Sequence, residues 1–171
     1  MVILRPLEPA LDAFPLHAVY GDEASSRYLL DPPTASVAET ERRLSRWCND
    51  AQGTDWAILT EEGGEAKGRV TVFKKDGGEW EAAIVICPAA RGKGIASRAL
   101  AQAIDLVDAK AGPRRIMADI DPDNRPSIKL FERLGFQHEG RLRKAFETHI
   151  GVRDAVYMSL VDTDPRPWRA G

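Results

Sequence analysis

Cysteines are few, long apolar runs are missing and neither sign of charge dominates; each shortage narrows what the protein does. Cys48 and Cys87 are the only cysteines in 171 residues and stand far apart. They read as two reduced, partly buried thiols, which excludes a disulfide-stapled secreted scaffold and points to a cytoplasmic protein. No apolar run approaches the length that spans a bilayer, so no membrane partner is expected. The opening MVILRPLEP is too short, and too soon broken by Arg5 and Pro6, to be a signal peptide. His17, His138 and His149 lack metal-ligand spacing with one another or with the cysteines, so no metal is expected. The formal net charge is −2 and there is no aromatic-basic stripe, which argues against a nucleic-acid partner. Internal repeats and linkers are also missing. What remains is an ordinary soluble profile, 43% apolar and 29% charged, long enough for a sizeable core. We expect a single domain over 1–171.

The most informative stretch is CPAARGKGIASRALAQA, residues 87–103. An apolar run at 82–86, AAIVI, precedes it and reads as a buried strand. A helix follows, with an apolar stripe at Ala96, Ala99, Leu100, Ala103, Ile104 and Val107. Arg91, Gly92, Lys93, Gly94, Ile95 and Ala96 connect the two. Gly92, Gly94 and Ala96 keep bulk out of the bend, so main-chain N–H groups at the helix start can face an anion that the helix dipole also favours. Arg91, Lys93 and Arg98 add positive charge. These features predict a phosphate-binding turn. The P-loop string is absent, and a dinucleotide fingerprint would need a third small residue that only Ser97 imitates.

RGKGIA fits the pattern Gln/Arg-x-x-Gly-x-Gly/Ala, which resembles the pyrophosphate-binding signature of the GNAT superfamily of N-acetyltransferases. A second segment, IDPDNRPSIKLFERLGFQHEGRLR at 120–143, is similar to the branch that includes the ribosomal-protein (RimJ/RimL-like) acetyltransferases. There Asn124, Ser127, Phe131, Glu132, Leu134, Gly135, Phe136, Glu139, Gly140 and Arg143 stand where that branch usually has them. LRPLEP and RDAVYMSLV are similar to the family's opening and closing strands, so the resemblance covers nearly the whole chain, most specifically its C-terminal half.

The resemblance implies an α+β (mixed α/β) fold. Its sheet would have six to seven mostly antiparallel strands, helices on both faces, and a central parallel pair that splays apart. It implies acetyl-CoA as cofactor, its pantetheine arm lying between the splayed strands, and an amine acceptor: a protein N-terminus or a small molecule. Homodimers are common in the family. By the same resemblance, Asn124 contacts the cofactor near the pantetheine, and Asp119 stands where some N-terminal acetyltransferases carry a glutamate. Phe131 replaces the tyrosine that many members use as general acid, so either Ser127, a water or a tyrosine such as Tyr157 fills that role, or the thiolate leaves unassisted. The same gap leaves a rival reading, a non-catalytic acyl-CoA-binding module.

The elements follow in order. A strand is expected at 2–6 and a helix at 11–20 that Pro15 shortens or breaks, with a short helix within 22–30. A capping box at Ser36 and Glu39 opens a helix running to Asn49. Strands at 56–60, 67–74 and 80–86 form a meander through the turns EEGGE and KDGGE. After the long helix come a strand at 115–120, a helix capped by Asp123 or Asn124 and ended by Gly135, and a hairpin of 136–146 and 152–161 across Gly151. Strand, crossover helix and strand make 80–86 and 115–120 a parallel pair.

Amine acetylation needs a neutral amine, a stabilised oxyanion and a departing thiolate. Main-chain N–H groups around Ile84, Val85 and Ile86 are placed for the oxyanion. The candidate bases are Asp119, Asp121, Glu79 and Glu81. Asp119 and Asp121 share a strand face by alternation, although Asp121 and Asp123 also suit turn chemistry around Pro122. Glu81, Arg27 and Tyr28 are placed on the acceptor side; a solvated strand face, an exposed arginine and a half-buried tyrosine explain them equally well. The segments 22–47 and 140–151 hold more arginine and lysine than acid, which favours an acceptor bearing carboxylate or phosphate.

Overall fold

The computed structural model describes residues 1–50, 54–75 and 78–170. The tip of the expected KDGGE turn, Asp76 and Gly77, lies outside the described residues. Seven strands form one sheet: β1 (Ile3–Pro6), β2 (Thr54–Leu59), β3 (Gly68–Lys74), β4 (Trp80–Ile86), β5 (Arg115–Ile120), β6 (Gln137–Thr148) and β7 (Gly151–Val161). Their spatial order is β1-β2-β3-β4-β5-β7-β6. All neighbours are antiparallel except β4 and β5. Those two pair only at Trp80↔Ile116 and Glu81↔Met117. From Ala82 to Ile86, β4 keeps its β3 partner but has none on β5, so the parallel pair opens toward the carboxyl end of β4. This is the mixed, mostly antiparallel fold with a splayed parallel pair that the family resemblance implies.

Alternation assigns the two faces. Ile58, Val70, Val72, Ala82, Ile116, Ala118, Met158 and Leu160 meet α4 (Ile95–Ala111) and α5 (Arg125–Arg133) in the larger core. Ala57 and Leu59 meet α1 (Pro9–Tyr20) and α3 (Val37–Asp50) through Leu16, Val19, Tyr20 and Leu44. The expected stripe of α4 is buried from Ala99 through Val107, and Ala96 is half-buried in the first turn.

Some details depart from expectation, while the capping box and the short helix within 22–30 are as expected. Pro15 neither ends nor shortens α1, which runs on to Tyr20. The carbonyl that Pro15 leaves without an intrahelical donor belongs to Leu11, an exposed residue, so water can take that bond. β2 begins at Thr54 and ends at Leu59, where its ladder with β1 stops. A short 3-10 turn at Pro88–Ala90 intervenes before the glycines. The capping box at α3 is present: Ser36 Oγ accepts from Glu39 N (3.2 Å), while Glu39 Oε2 reaches back to Ala35 N (2.7 Å). β6 runs to Thr148, with register shifts between His138 and Gly140 and between Leu142 and Phe146. A short helix α2 (Glu23–Ser26) follows α1.

Candidate active site

The turn between β4 and α4 is built from glycine backbone. Gly92 and Gly94 have φ of +76° and +68°. A Cβ at Gly92 would meet nothing within 4 Å, so the need for glycine there is conformational. Gly94 is the N-cap of α4 and offers no side-chain cap. Arg98 N bonds back to Gly94 O (3.4 Å), while the N–H groups of Ile95, Ala96 and Ser97 belong to the first turn and have no acceptor within the helix. Those donors face outward at the positive end of a 17-residue helix.

The basic side chains brace this turn. Lys93 Nζ donates to Ala89 O (3.1 Å), and Arg98 Nη2 to Lys93 O (2.9 Å). Arg91 Nε donates to Ile86 O (3.0 Å), and its Nη2 to Ser25 Oγ on α2 (2.8 Å). This cradle of uncapped main-chain donors, with three cations around it, could hold a diphosphate. The free edge of β4 at Ile84, Val85 and Ile86 leads away from it along the gap.

Across the gap, β5 ends in an acidic cluster. Asp119, half-buried, lies opposite Tyr157 of β7. Its carboxyl is pushed up to about 6, first by burial and then by the nearby charge of Glu81, with Lys75 opposing. Glu81 accepts a hydrogen bond from Lys75 Nζ at 2.6 Å, which raises the lysine. The Tyr157 phenol is raised too, by burial first and Asp119 second. Asp121 behaves differently. It lies past the end of β5, and Arg153 binds both its oxygens (2.7 and 3.0 Å) and also Asp123 Oδ2 (2.5 Å). These bonds hold the Asp121 carboxyl below its ordinary range. Asp121 Oδ1 also accepts from Asp123 N (2.8 Å), closing the turn that presents Asn124.

Asn124 caps α5, its Oδ1 accepting from Ser127 N (3.3 Å), which leaves its amide nitrogen outside the cap. Phe131 is 2% exposed and packs edge-on to Phe136, with centroids 4.9 Å apart. Tyr28 Oη donates to Asp123 O (3.4 Å), so it braces the 121–124 loop; Arg27 is exposed at the end of α2. Cys87 is buried against Pro15 O and Ala66 O, and burial pushes its thiol up.

The structure thus brings Asp119, Glu81 and Tyr157 together on one face, and Asn124 and Ser127 together at one helix start. Lys75, Arg153 and Ser25 were missed from the sequence. Lys75 reads as part of a turn and Arg153 as an ordinary hairpin arginine; the Lys75 contact crosses the hairpin β3–β4, while those of Arg153 and Ser25 are long-range.

Comparison with known proteins bears on the fold and the family. A family model described as "Acetyltransferase (GNAT) domain" matches residues 1–137. An uncharacterized N-acetyltransferase p20 of Bacillus licheniformis is 31% identical over 153 residues, 86% of this chain and 85% of the relative. The spermidine N(1)-acetyltransferase of Escherichia coli K12 is 27% identical over 161 residues, 93% of this chain and 85% of the relative. The crystal structure of spermidine N-acetyltransferase from Vibrio cholerae, in complex with CoA and spermine, superposes with a TM-score of 0.80 at 22% identity, covering 95% of this chain and 96% of that one.

Proposed function

Because the chain belongs to the GNAT family and is an N-acetyltransferase that uses acetyl-CoA, we propose the following division of labour among its residues. Acetyl-CoA supplies an acetyl group activated as a thioester. The main-chain donors of Arg91, Gly92, Lys93, Gly94, Ile95 and Ala96 would hold its diphosphate. Ile84, Val85 and Ile86 would align the pantetheine arm with their free edge and offer N–H groups where negative charge develops. Asn124 and Ser127 would fix the arm from the start of α5.

Asp119 takes the amine proton, directly or through water. Its pKa of about 6 leaves it mostly ionised at neutral pH, yet a better proton acceptor than an ordinary aspartate. An α-amine, which ordinarily titrates near ~8, yields its proton more easily than a lysine amine near ~10.4. Glu81, held by Lys75, helps attract the ammonium form to this end of the cleft. Phe131 has no proton to give. Of the two remaining hydroxyls, Tyr157 is favoured over Ser127 as donor to the departing sulfur: it faces Asp119, and burial keeps its O–H protonated.

The acceptor is a primary amine. Named relatives act on spermidine, which supports a small-molecule amine; the RimJ/RimL-like segment at 120–143 supports a protein or peptide N-terminus. We read 1–171 as one domain, since the hairpin β6–β7 completes the same sheet as the 1–137 match. Exposed Leu142, Ile150 and Val152 on that hairpin, with Leu30, support a homodimer, which light scattering would detect. Among the described residues, no helix is long and apolar enough to cross a membrane.

The observation that carries this reading is the half-buried Asp119 carboxyl near the end of β5, opposite Tyr157 and on the far side of the gap that β4 opens beside the glycine turn. Incubation with acetyl-CoA and a panel of spermidine, amino acids and short peptides, following free thiol, tests it. Thiol release with at least one amine is expected. Tight CoA binding without release for any amine overturns the catalytic assignment.

A further inference from the structure

The acceptor end of the cleft carries a second polar cluster, which Asp119 chemistry does not use. On the β4 face shared with Glu81, Ala83 is exposed in mid-strand, so the sheet is uncovered there. Thr71 of β3 lies opposite Ala83, and Asp55 of β2 lies opposite Thr71. These positions run in line across one face of the sheet from β5 toward α3; beyond Ala83 that face is covered, and Thr71 is 3% exposed. Strands stand ~4.8 Å apart, so Asp55 is roughly 10 Å from β4.

Around Asp55 the side chains form one contiguous group. Arg69 Nε donates to Asp55 Oδ1 (2.7 Å), and the Arg69 guanidinium lies 4.8 Å from the Trp47 ring centroid. Trp47 meets Tyr20 edge-on at 5.6 Å. Arg43, one turn before Trp47 on α3, is close enough to Tyr20 to influence its phenol, and its Nη2 donates to Pro32 O (2.9 Å). Five buried side-chain polar atoms lack a well-aligned partner among the described residues; four of them are here: Tyr20 Oη, Arg43 Nη1, Asp55 Oδ2 and Thr71 Oγ1, with Arg69 close enough to donate to the Tyr20 oxygen and leave only its O–H free. Tyr20, Arg43 and Thr71 are each more than nine-tenths buried. Clustered orphan donors in an interior otherwise well paired mark a place where a ligand's polar group completes the bonding.

We propose that this cluster is the distal subsite of the acceptor and takes a carboxylate; the proposal rests on the acetyltransferase reading above. Arg43 and Arg69 against Asp55 leave one net positive charge. Arg43 Nη1, Tyr20 O–H and Thr71 O–H can all donate to a carboxylate, and Asp55 Oδ2 is left to accept from an amide N–H or hydroxyl of the same molecule. The cleft is therefore polarised, with acids at Asp119 and Glu81 and cations at Arg43 and Arg69. It suits an acceptor with an amine in the β4–β5 gap and a carboxylate two to three strand spacings away, roughly 10–14 Å, about the span of an extended tri- or tetrapeptide. A polyamine would set its second ammonium against Arg43.

The test compares a tripeptide, the same tripeptide as its C-terminal amide, and spermidine, each with acetyl-CoA, for the wild type, Arg43→Gln and Thr71→Val. The free-acid peptide is expected to be acetylated with the highest kcat/KM. Arg43→Gln is expected to raise its KM by about tenfold, the loss of one charged hydrogen bond, with kcat within twofold and the amide's KM unchanged. Thr71→Val, which leaves the Pro32 contact intact, should shift KM in the same direction by a smaller factor. Spermidine or the amide being acetylated as efficiently as the acid overturns the proposal, as does either variant that stays folded and impairs both peptides equally. No acetylation of any amine would instead strike the enzyme reading itself.

Discussion

The two ends of the cleft are made of different material. The cofactor end is main chain: two left-handed glycines, an uncapped helix start and a free strand edge, with Lys93 and Arg98 folded back onto local carbonyls and Arg91 onto Ile86 O and Ser25. The acceptor end is side chain: Asp119, Glu81, Lys75 and Tyr157, drawn from four separated segments. A backbone grip tolerates many side chains but few backbone conformations. A side-chain cluster keeps its backbone ordinary and depends on each partner's charge. Substitutions at the two ends should therefore fail in different ways.

The largest effect is expected at the cofactor end. Gly94→Glu forces a non-glycine residue to φ +68°, where its Cβ would stand 3.3 Å from Arg98 Nη1, and puts a carboxylate at the proposed diphosphate site. CoA affinity should fall on the order of 100-fold, with an unchanged circular dichroism spectrum. Affinity within threefold of wild type, by calorimetry, would show that the turn is not the grip.

Asp119→Asn should have the opposite profile. Turnover falls about 10²- to 10⁴-fold, as for loss of a general base, while CoA affinity stays within twofold. Wild-type kcat/KM should rise with pH up to about 6 and then level, and the variant should lose that limb. The sign for stability also follows. The folded pKa lies above the ordinary 3.8, so ionising Asp119 opposes folding. That penalty grows as pH climbs from the ordinary value through about 6 and is constant above it. Asp119→Asn should thus raise Tm at pH 7.5, with a gain that vanishes near pH 4.

Arg153→Leu sharpens the comparison at the hinge between the two ends, the 121–124 loop. Freed from Arg153, the loop holds Asn124 less firmly, and KM for acetyl-CoA should rise about three- to tenfold, as for a positioning contact worth ~1 kcal/mol, with kcat little changed. Asp121 is held below its ordinary value, so its stabilising share is present above that value and lost as pH falls through the folded one. The variant should begin acid unfolding at a higher pH than wild type.

How much of this was legible in the sequence follows the same division. The strand-turn-helix at 80–111 and the capped start of α5 are local, carried by glycine, asparagine and apolar spacing, and the structure has them within a residue or two. The splay of β4 from β5 came from resemblance and is visible only as a missing ladder. Arg153 with Asp121 and Arg91 with Ser25 were not legible, because each joins segments far apart in the chain; Lys75 with Glu81 crosses the expected KDGGE hairpin, but which side chains meet there depends on a register that the turn residues alone do not fix. Pro15 misled for a related reason. The helix tolerates it because the unpaired carbonyl falls at an exposed position, which the proline alone does not announce.

The smallest effect should come from Phe131→Tyr, which tests the boundary between the two ends. Phe131 is 2% exposed and edge-on to Phe136, so a hydroxyl added to its ring enters the core of α5. Unpartnered there, it would cost ~1–3 kcal/mol of stability, a drop in Tm of several degrees, with kcat within twofold. Tyr157→Phe in the same assay should lower kcat about tenfold or more, as for loss of a proton donor, most strongly for acetyl donors whose thiol leaves poorly. The double variant decides between the sites. If Phe131→Tyr restores turnover to Tyr157→Phe, a hydroxyl at 131 reaches the departing sulfur and Tyr157 is replaceable. If it does not, the acid in this chain has moved from α5 to the sheet, into the same side-chain cluster as the base.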